Sequence, residues 1–390
     1  MIGARGAIAT CVAYGLSGLR QGLLAPTGLI SETDFFKDVD LASLDNIVIG
    51  GHEIADSGLT GVAGELVRAG VLPSEVVAAG SAEAAKLDAR IRPGILDLSD
   101  VGTASLDPAA ASMGGASPRA KVDRLREDIE AFRAETGAKR VVVVYLASAE
   151  ATSEGLEHWD ELAAFEAALD DEGEFPASSL YAYAAFSAGC PFVNFTPNHG
   201  ASIGALRQLA REKGLPHCGN DGKTGETLVK TALAPMFQKR ALRVLAWQGY
   251  NMLGNKDGET LRDPIRRATK CRNKDAPLHA ILGEANLHTQ VGIDYVPSLH
   301  DWKTAMDFIH FEGFLGAKMS MQFTWAGSDS ALAAPLVIDL VRLADHALRN
   351  GEAGEMLQTA CFFKSPLIEG SHDFHDQFRM LLDYIERHSS

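Results

Sequence analysis

Basic residues are in short supply in this chain of 390 residues: 36 Lys and Arg stand against 51 Asp and Glu, a formal net charge of −15. The deficit excludes the broad basic face that a nucleic-acid footprint needs. It leaves room for a local cationic pocket that takes a small anion. Long apolar runs are missing too. No run reaches the ~18 residues of a membrane span, so no membrane partner is expected. Cysteine is sparse and scattered: Cys11, Cys190, Cys218, Cys271 and Cys361 form no CxxC pair and no framework spacing. They read as small hydrophobes in a reducing compartment, with no neighbouring base to make a nucleophile. The opening "MIGARGAIATCVAYGLSGL" places Arg5 before an apolar patch but offers no A-x-A cleavage site, so the protein is read as cytoplasmic. His372 and His375 in "SHDFHDQF" fit a solvated C-terminal helix better than a metal centre.

What is present is apolar residue in quantity, 46% of the chain, at a length suited to two or three domains. After Gly6, the residues Ile8, Val12, Leu16 and Leu19 recur at helical spacing up to Arg20 and Gly22. A glycine turn feeding a buried helix is the entry to a dinucleotide fold, where the helix N-terminus holds a pyrophosphate. Here the turn is a loose variant, Gly3-x-x-Gly6-x-x-Ala9, which makes Gly3, Gly6, Ala7 and Ile8 candidate cofactor contacts. The strand that should precede it is cut to Met1 and Ile2, where strands usually run to ~5 residues. Either that strand is stunted or the start is placed too far downstream.

Short apolar runs follow: "NIVIGG" at 46–51, "RVVVVYLASAE" at 140–150 and "FVNFTPN" at 192–198. Such runs, alternating with helical patterns, suggest parallel strands buried on both faces. "SIGALRQLAREKG" reads as a helix with Gly214 as its C-cap. The acidic stretch at 156–176 reads as a solvated helix and loop. From about 220 the texture changes. "GNDGKTGETLVKTALAPMFQKR" offers Thr224 as N-cap to a helix striped by Leu228, Ala232 and Met236. A Gly/Thr helix start is a ready anion site, although an ordinary capped surface helix is the simpler reading of this stretch alone. "HTQVGIDYVPSLHDWKTAMDFI" looks like a strand and then a helix, and "SDSALAAPLVIDLVRLADHAL" like a long buried helix.

In order, the polar clusters are "GNDGKTGET", "YNMLGNKDG", Lys270-x-x-x-Lys274, "DWKTAMD", "SDSALAAPLVIDL" and "FFKSPL". Together they resemble the myo-inositol-1-phosphate synthase family, NAD-dependent carbocyclases of sugar phosphates. The resemblance spans nearly the whole chain and is strongest from Gly219 to Leu367. It implies an α/β fold with a discontinuous Rossmann-type NAD domain, residues 1–222, completed by 327–390. Residues 223–326 would form an inserted α+β catalytic and oligomerisation domain. It also implies a homotetramer acting on a sugar phosphate, with no nucleic-acid partner. The implied chemistry is redox-neutral: C5 of glucose 6-phosphate is oxidised with NAD, C6 is enolised and attacks C1, and the C5 ketone is reduced back. Each step develops negative charge on oxygen, for which positioned ammonium groups suit both stabilisation and proton transfer.

By resemblance, Lys270 serves the C5 oxygen, Lys364 the forming ring hydroxyl and Lys274 the phosphate. Asp221 and Asp257 match residues on the nicotinamide side, and Asn251 and Asn255 match substrate-contacting amides. Leu253, Thr224 and Gly225 match phosphate-contacting backbone. Asp329 and Ser330 match a cofactor-facing pair, and Thr196 stands where the family has a serine. Ala147 and Ser148 lie in the stretch that follows NAD, and Glu53 stands where the family keeps an aspartate, as a ribose partner. A monovalent or divalent cation near the phosphate is compatible with the family, but no ligand set identifies its place. His52, His199 and His300 fall near these loops without an assigned role.

Two departures bear on function. The family's catalytic lysine in an Ile-Lys-Tyr triplet is replaced in Ile293-Asp294-Tyr295, which makes Asp294 a catalytic candidate of opposite charge. Glu226 stands where the family has glutamine. Two added carboxylates near a dianion call for cationic partners such as Lys256, Arg267, Arg272 or Lys274. One consequence is an alternative substrate: fructose 6-phosphate, closing a five-membered ring by the same steps. A simple sugar-phosphate dehydrogenase is a further alternative. A dead NAD-binding sensor is disfavoured by the retained lysines and aspartates.

Overall fold

The computed structural model describes residues 1–96, 106–150, 159–170, 175–255, 258–259, 261–262, 277–283, 287–367 and 370–389. In chain order the helices used below are α1 (Ala7–Arg20), α2 (Leu59–Arg68), α3 (Ser74–Asp88), α4 (Pro108–Ser112), α5 (Pro118–Thr136) and α6 (Leu162–Asp170). They continue with α7 (Ala177–Ser187), α8 (Gly204–Glu212), α9 (Glu226–Lys239), α10 (Asp329–Arg349) and α11 (Phe374–His388). The strands are β1 (Gly51–Glu53), β2 (Ile91–Pro93), β3 (Val143–Tyr145), β4 (Phe192–Asn194) and β5 (Pro216–Cys218). After them come β6 (Arg243–Leu253), β7 (His288–Tyr295), β8 (Trp302–Glu312), β9 (Lys318–Ser328) and β10 (Gly354–Glu355).

The first sheet is parallel throughout, with β1 beside β2 and the order β10-β5-β4-β3. Ile2 joins the two parts, bridging His52 on one side and Tyr145 on the other. The expected short first strand is thus a single bridging residue, and an apolar cavity of about 110 Å³ lined by Val12, Ile49, Val142 and Val341 lies beside it. The near-continuous apolar runs are explained by burial on both faces. Val144, Val193 and Cys218 pack with α1 and α10 in one core. Val143, Tyr145 and Phe192 pack with α5, α7 and α8 in another. The edge strand β10 comes from the far end of the chain, so the last segment completes this sheet.

The second sheet has the order β7-β6-β8-β9, parallel only between β6 and β7. One face packs Val244, Trp247 and Ile309 against Ala234 and Phe237 of α9. The other face is open and carries Tyr250, Met306 and Phe308 exposed. The helix expected over "DWKTAMDFI" is instead strand β8: Ala305, Asp307 and Ile309 are buried while Met306 and Phe308 face out, a period of two. The stretch at 156–176 is not simply solvated either, because Phe165 and Leu169 of α6 are fully buried. Among the described residues, no helix is long and apolar enough to cross a membrane. Cys11, Cys190, Cys218 and Cys361 are buried and free, and burial pushes the Cys11 thiol up to about 12.

Candidate active site

A cavity of about 700 Å³ lies where the C-terminal ends of the first sheet's strands meet the end of β6 and the loop between β7 and β8. Its first wall is the glycine turn. Gly3 has φ 79°, and a Cβ there would stand 3.1 Å from the Ala147 backbone, so the turn lies flat on the chain after β3. Gly6 then caps α1, which directs the N–H groups of its first turn, Ala7 and Ile8 included, towards the cavity they line. Ala147, Ser148 and Thr196 form the adjoining wall. A pyrophosphate-bearing cofactor fits such a cradle, because backbone donors and the helix dipole converge where no side chain intrudes. Arg5 and Arg68 also reach this cavity, two cations that the motifs gave no reason to select. Glu53 does not line it. Its buried carboxylate accepts the backbone N–H groups of Arg5 (2.9 Å), Ile54 (2.9 Å) and Ala55 (3.2 Å). The expected ribose partner therefore holds the flank of the turn instead.

Deeper in, two of the selected residues meet. Lys364 Nζ donates to Asp221 Oδ1 at 2.8 Å, and the Lys364 N–H donates to the Asp221 carbonyl at 2.7 Å. Asp221 has φ 62°, and its own N–H donates to the Thr196 carbonyl at 2.9 Å. Beside them, the Thr224 hydroxyl donates to Asp329 at 2.8 Å. The N-cap of α9 is Gly225 rather than Thr224, which frees the threonine for this contact. Lys303 Nζ pairs with Asp329 and lies 3.2 Å from the Thr224 hydroxyl. A Cβ on Gly225 would come within 3.0 Å of the Lys303 side chain. Burial works to raise the Asp329 carboxyl, but the charge and hydrogen bond of Lys303, with Lys364 and Thr224, hold it far below the usual carboxylate range. Lys303 lies in the "DWKTAMD" cluster but was given no role, its segment reading as a helix. In the β8 ladder it pairs with Leu253 and so rises beside the start of α9. Asp301, in the same cluster and likewise given no role, accepts from Ser328 (2.6 Å) and from the Ser330 hydroxyl (2.8 Å), and burial raises its carboxyl.

Other selected residues lie off the cavity wall. Asn251 is buried within the second sheet, its Nδ2 3.4 Å from the Gly292 carbonyl. The Leu253 carbonyl accepts the Val296 N–H at 2.8 Å. Asp294 stands on the open sheet face, where it accepts the Tyr250 hydroxyl. Asn255 does line the cavity, with its side-chain oxygen accepting the Gly258 N–H at 3.0 Å. Glu226 pairs with Lys230 at 2.7 Å; the partners expected for it, Lys256, Arg267, Arg272 and Lys274, lie outside the described residues. Lys270, Lys274 and Asp257 lie outside the described residues. Among the described residues, no group of three or more His, Cys, Asp or Glu is placed to hold a metal ion.

The sequence model of an NAD-binding family described as myo-inositol-1-phosphate synthase matches residues 1–386. The chain belongs to that family. As a member of the myo-inositol-1-phosphate synthase family it is an enzyme of the isomerase type with an NAD-binding Rossmann-type domain. It is 32% identical to inositol-3-phosphate synthase 1 of Bacteroides thetaiotaomicron, over 98% of this chain and 92% of that protein. It is also 32% identical to the inositol-3-phosphate synthase of Trypanosoma brucei brucei, over 65% of this chain and 50% of that protein. Its fold matches the crystal structure of inositol-3-phosphate synthase from Caenorhabditis elegans with a TM-score of 0.85 at 22% identity, over 100% of this chain and 85% of that one.

Proposed function

We propose that this chain is an inositol-3-phosphate synthase, closing glucose 6-phosphate into a six-membered cyclitol phosphate with no net consumption of NAD. The observation that carries the reading is the Lys364–Asp221 pair on the wall of the same cavity as the glycine turn and Thr224. Gly3, Gly6, Ala7 and Ile8 would hold the NAD pyrophosphate, with Ala147, Ser148, Thr196, Asp329 and Ser330 along the rest of the cofactor. Bound there, NAD supplies reversible hydride exchange. Lys364, held by Asp221, keeps an ammonium at the oxygen where alkoxide charge develops and passes a proton to it. Thr224, Gly225 and the N–H groups at the start of α9 hold the phosphate, with Lys303 beside them. Lys270 and Lys274 supply the remaining positive charge, and Asp257 faces the cofactor. Residues 223–326 form the catalytic and oligomerisation unit, with 1–222 and 327–390 forming the cofactor domain.

Glucose 6-phosphate is preferred over the ketose because both departures that suggested fructose 6-phosphate have local explanations: Glu226 is paired to Lys230, and Asp294 is off the cavity wall. The open face of the second sheet supports a homotetramer. The test is to incubate NAD-loaded protein with glucose 6-phosphate and follow cyclitol phosphate by NMR and NADH by absorbance. Cyclitol phosphate without NADH accumulation is expected, and its loss in Lys364→Met with NAD affinity unchanged. Steady NADH accumulation would replace this reading with a dehydrogenase.

A further inference from the structure

Resting on the sugar-phosphate reading above, we propose that His300 contacts the substrate, its imidazole hydrogen-bonding the sugar-phosphate oxygens at the cavity wall. His300 lies on that wall with Gly254, Asn255 and Tyr295. Its backbone has φ 53° and ψ −122°, a region essentially reserved for glycine, in which a side chain is strained. Such a conformation persists only where the surroundings over-determine it, and here they do. The Asp301 carboxylate is fixed by Ser328 and Ser330. The Trp302 indole donates to the Ala69 carbonyl at 2.7 Å, tying the next residue to the end of α2. On the inner side Gly254 packs so closely that a Cβ there would stand 2.4 Å from the His300 nitrogen.

Among the described residues, no side-chain pairing offsets the strain. His300 is exposed, and among the described residues its imidazole makes no hydrogen bond and no ion pair. A glycine would satisfy the backbone at lower cost, so the side chain has to be useful for what it meets in the cavity. Two lysines beside the cavity are already engaged, Lys303 by Asp329 and Lys364 by Asp221. An uncommitted imidazole on this wall is therefore a donor free to answer the oxygens of an entering phosphorylated polyol.

The exchange His300→Gly tests this without risk to folding, because it relieves the backbone. NAD-loaded parent and variant are compared by thermal unfolding, by calorimetric binding of glucose 6-phosphate, and by kcat and KM. The expected result is a Tm raised by roughly 1–3 °C, glucose 6-phosphate affinity weakened about tenfold, and unchanged NAD affinity. Equal sugar-phosphate affinity in the two proteins overturns the proposal, and so does a variant less heat-stable than its parent, which would mark the histidine as structural. If the parent binds glucose 6-phosphate without converting it, the cyclase reading falls while the binding comparison still decides His300. If the parent binds no hexose phosphate, both fall.

Discussion

At the scale of single residues, the two acids that looked anomalous each have a local partner, Lys230 for Glu226 and the Tyr250 hydroxyl for Asp294. Glu226 and Lys230 are one helical turn apart on α9, both buried, with Nζ and Oε1 2.7 Å apart. Asp307 from β8 stands 3.8 Å from the same ammonium and accepts the Trp247 indole N–H at 2.7 Å. Gly249 is required beneath them, since a Cβ there would stand 2.5 Å from Glu226 Oε1. Removing one member of such a pair strands a buried charge, which costs about 3–5 kcal/mol, whereas replacing both by apolar groups is close to neutral. Lys230→Met should therefore lower the thermal midpoint sharply, because it strands both buried acids, and Lys230→Met with Glu226→Gln should recover part of the loss. Equal destabilisation in the single and double variants would show that the pair is not the unit that matters.

At the scale of elements, β8 both completes the phosphate end of the cavity and marks the limit of what the sequence disclosed. Helices α1 and α10 and the glycine turn were legible because their apolar stripes face one core and their ends carry the right residues. Strand β8 was not, because its outward residues Met306 and Phe308 are apolar as well, so the polar-out alternation that betrays a half-buried strand is absent. Reading the segment as a helix is what hid the place of Lys303. Strand alternation decides Asp294: along β7, Ile293 is buried and Tyr295 lines the cavity, whereas Asp294 points to the open face. Glu53 illustrates a different ambiguity, since an acid at a strand's end reads alike whether it meets a ribose or caps backbone N–H groups. If β8 serves to carry Lys303 to Thr224 and Asp329, then Lys303→Met should reduce kcat/KM for glucose 6-phosphate by about 10–100-fold, the loss of a charge-assisted contact or two. Circular dichroism should be unchanged. A variant of parental activity would assign Lys303 to packing alone.

At the scale of the whole molecule, the second sheet presents a face that a lone subunit leaves uncovered. Tyr250 is 44% exposed, Met306 48% and Phe308 38%, all on that face, and neighbours across the ladder bring them together, Tyr250 opposite Met306 and Phe308 opposite Gln322. The hairpin between β8 and β9 adds Phe314 and Leu315, each nearly fully exposed. Clustered apolar side chains of this kind mark protein interfaces more often than bare surface. A face made of one sheet pairs readily with its own copy, because the same patch serves both sides of a two-fold axis. This is the physical support for the proposed homotetramer. The assembly would also cover Asp294, whose contact with Tyr250 is made on that surface. Replacing Met306 and Phe308 together by glutamate places two charges at the centre of the contact without touching the buried face that α9 covers. Light scattering should then report a species smaller than the parent, with the far-ultraviolet spectrum retained. If the double variant keeps the parent's mass, the open face is not where the subunits meet, and the exposed hairpin carrying Phe314 and Leu315 becomes the element to test.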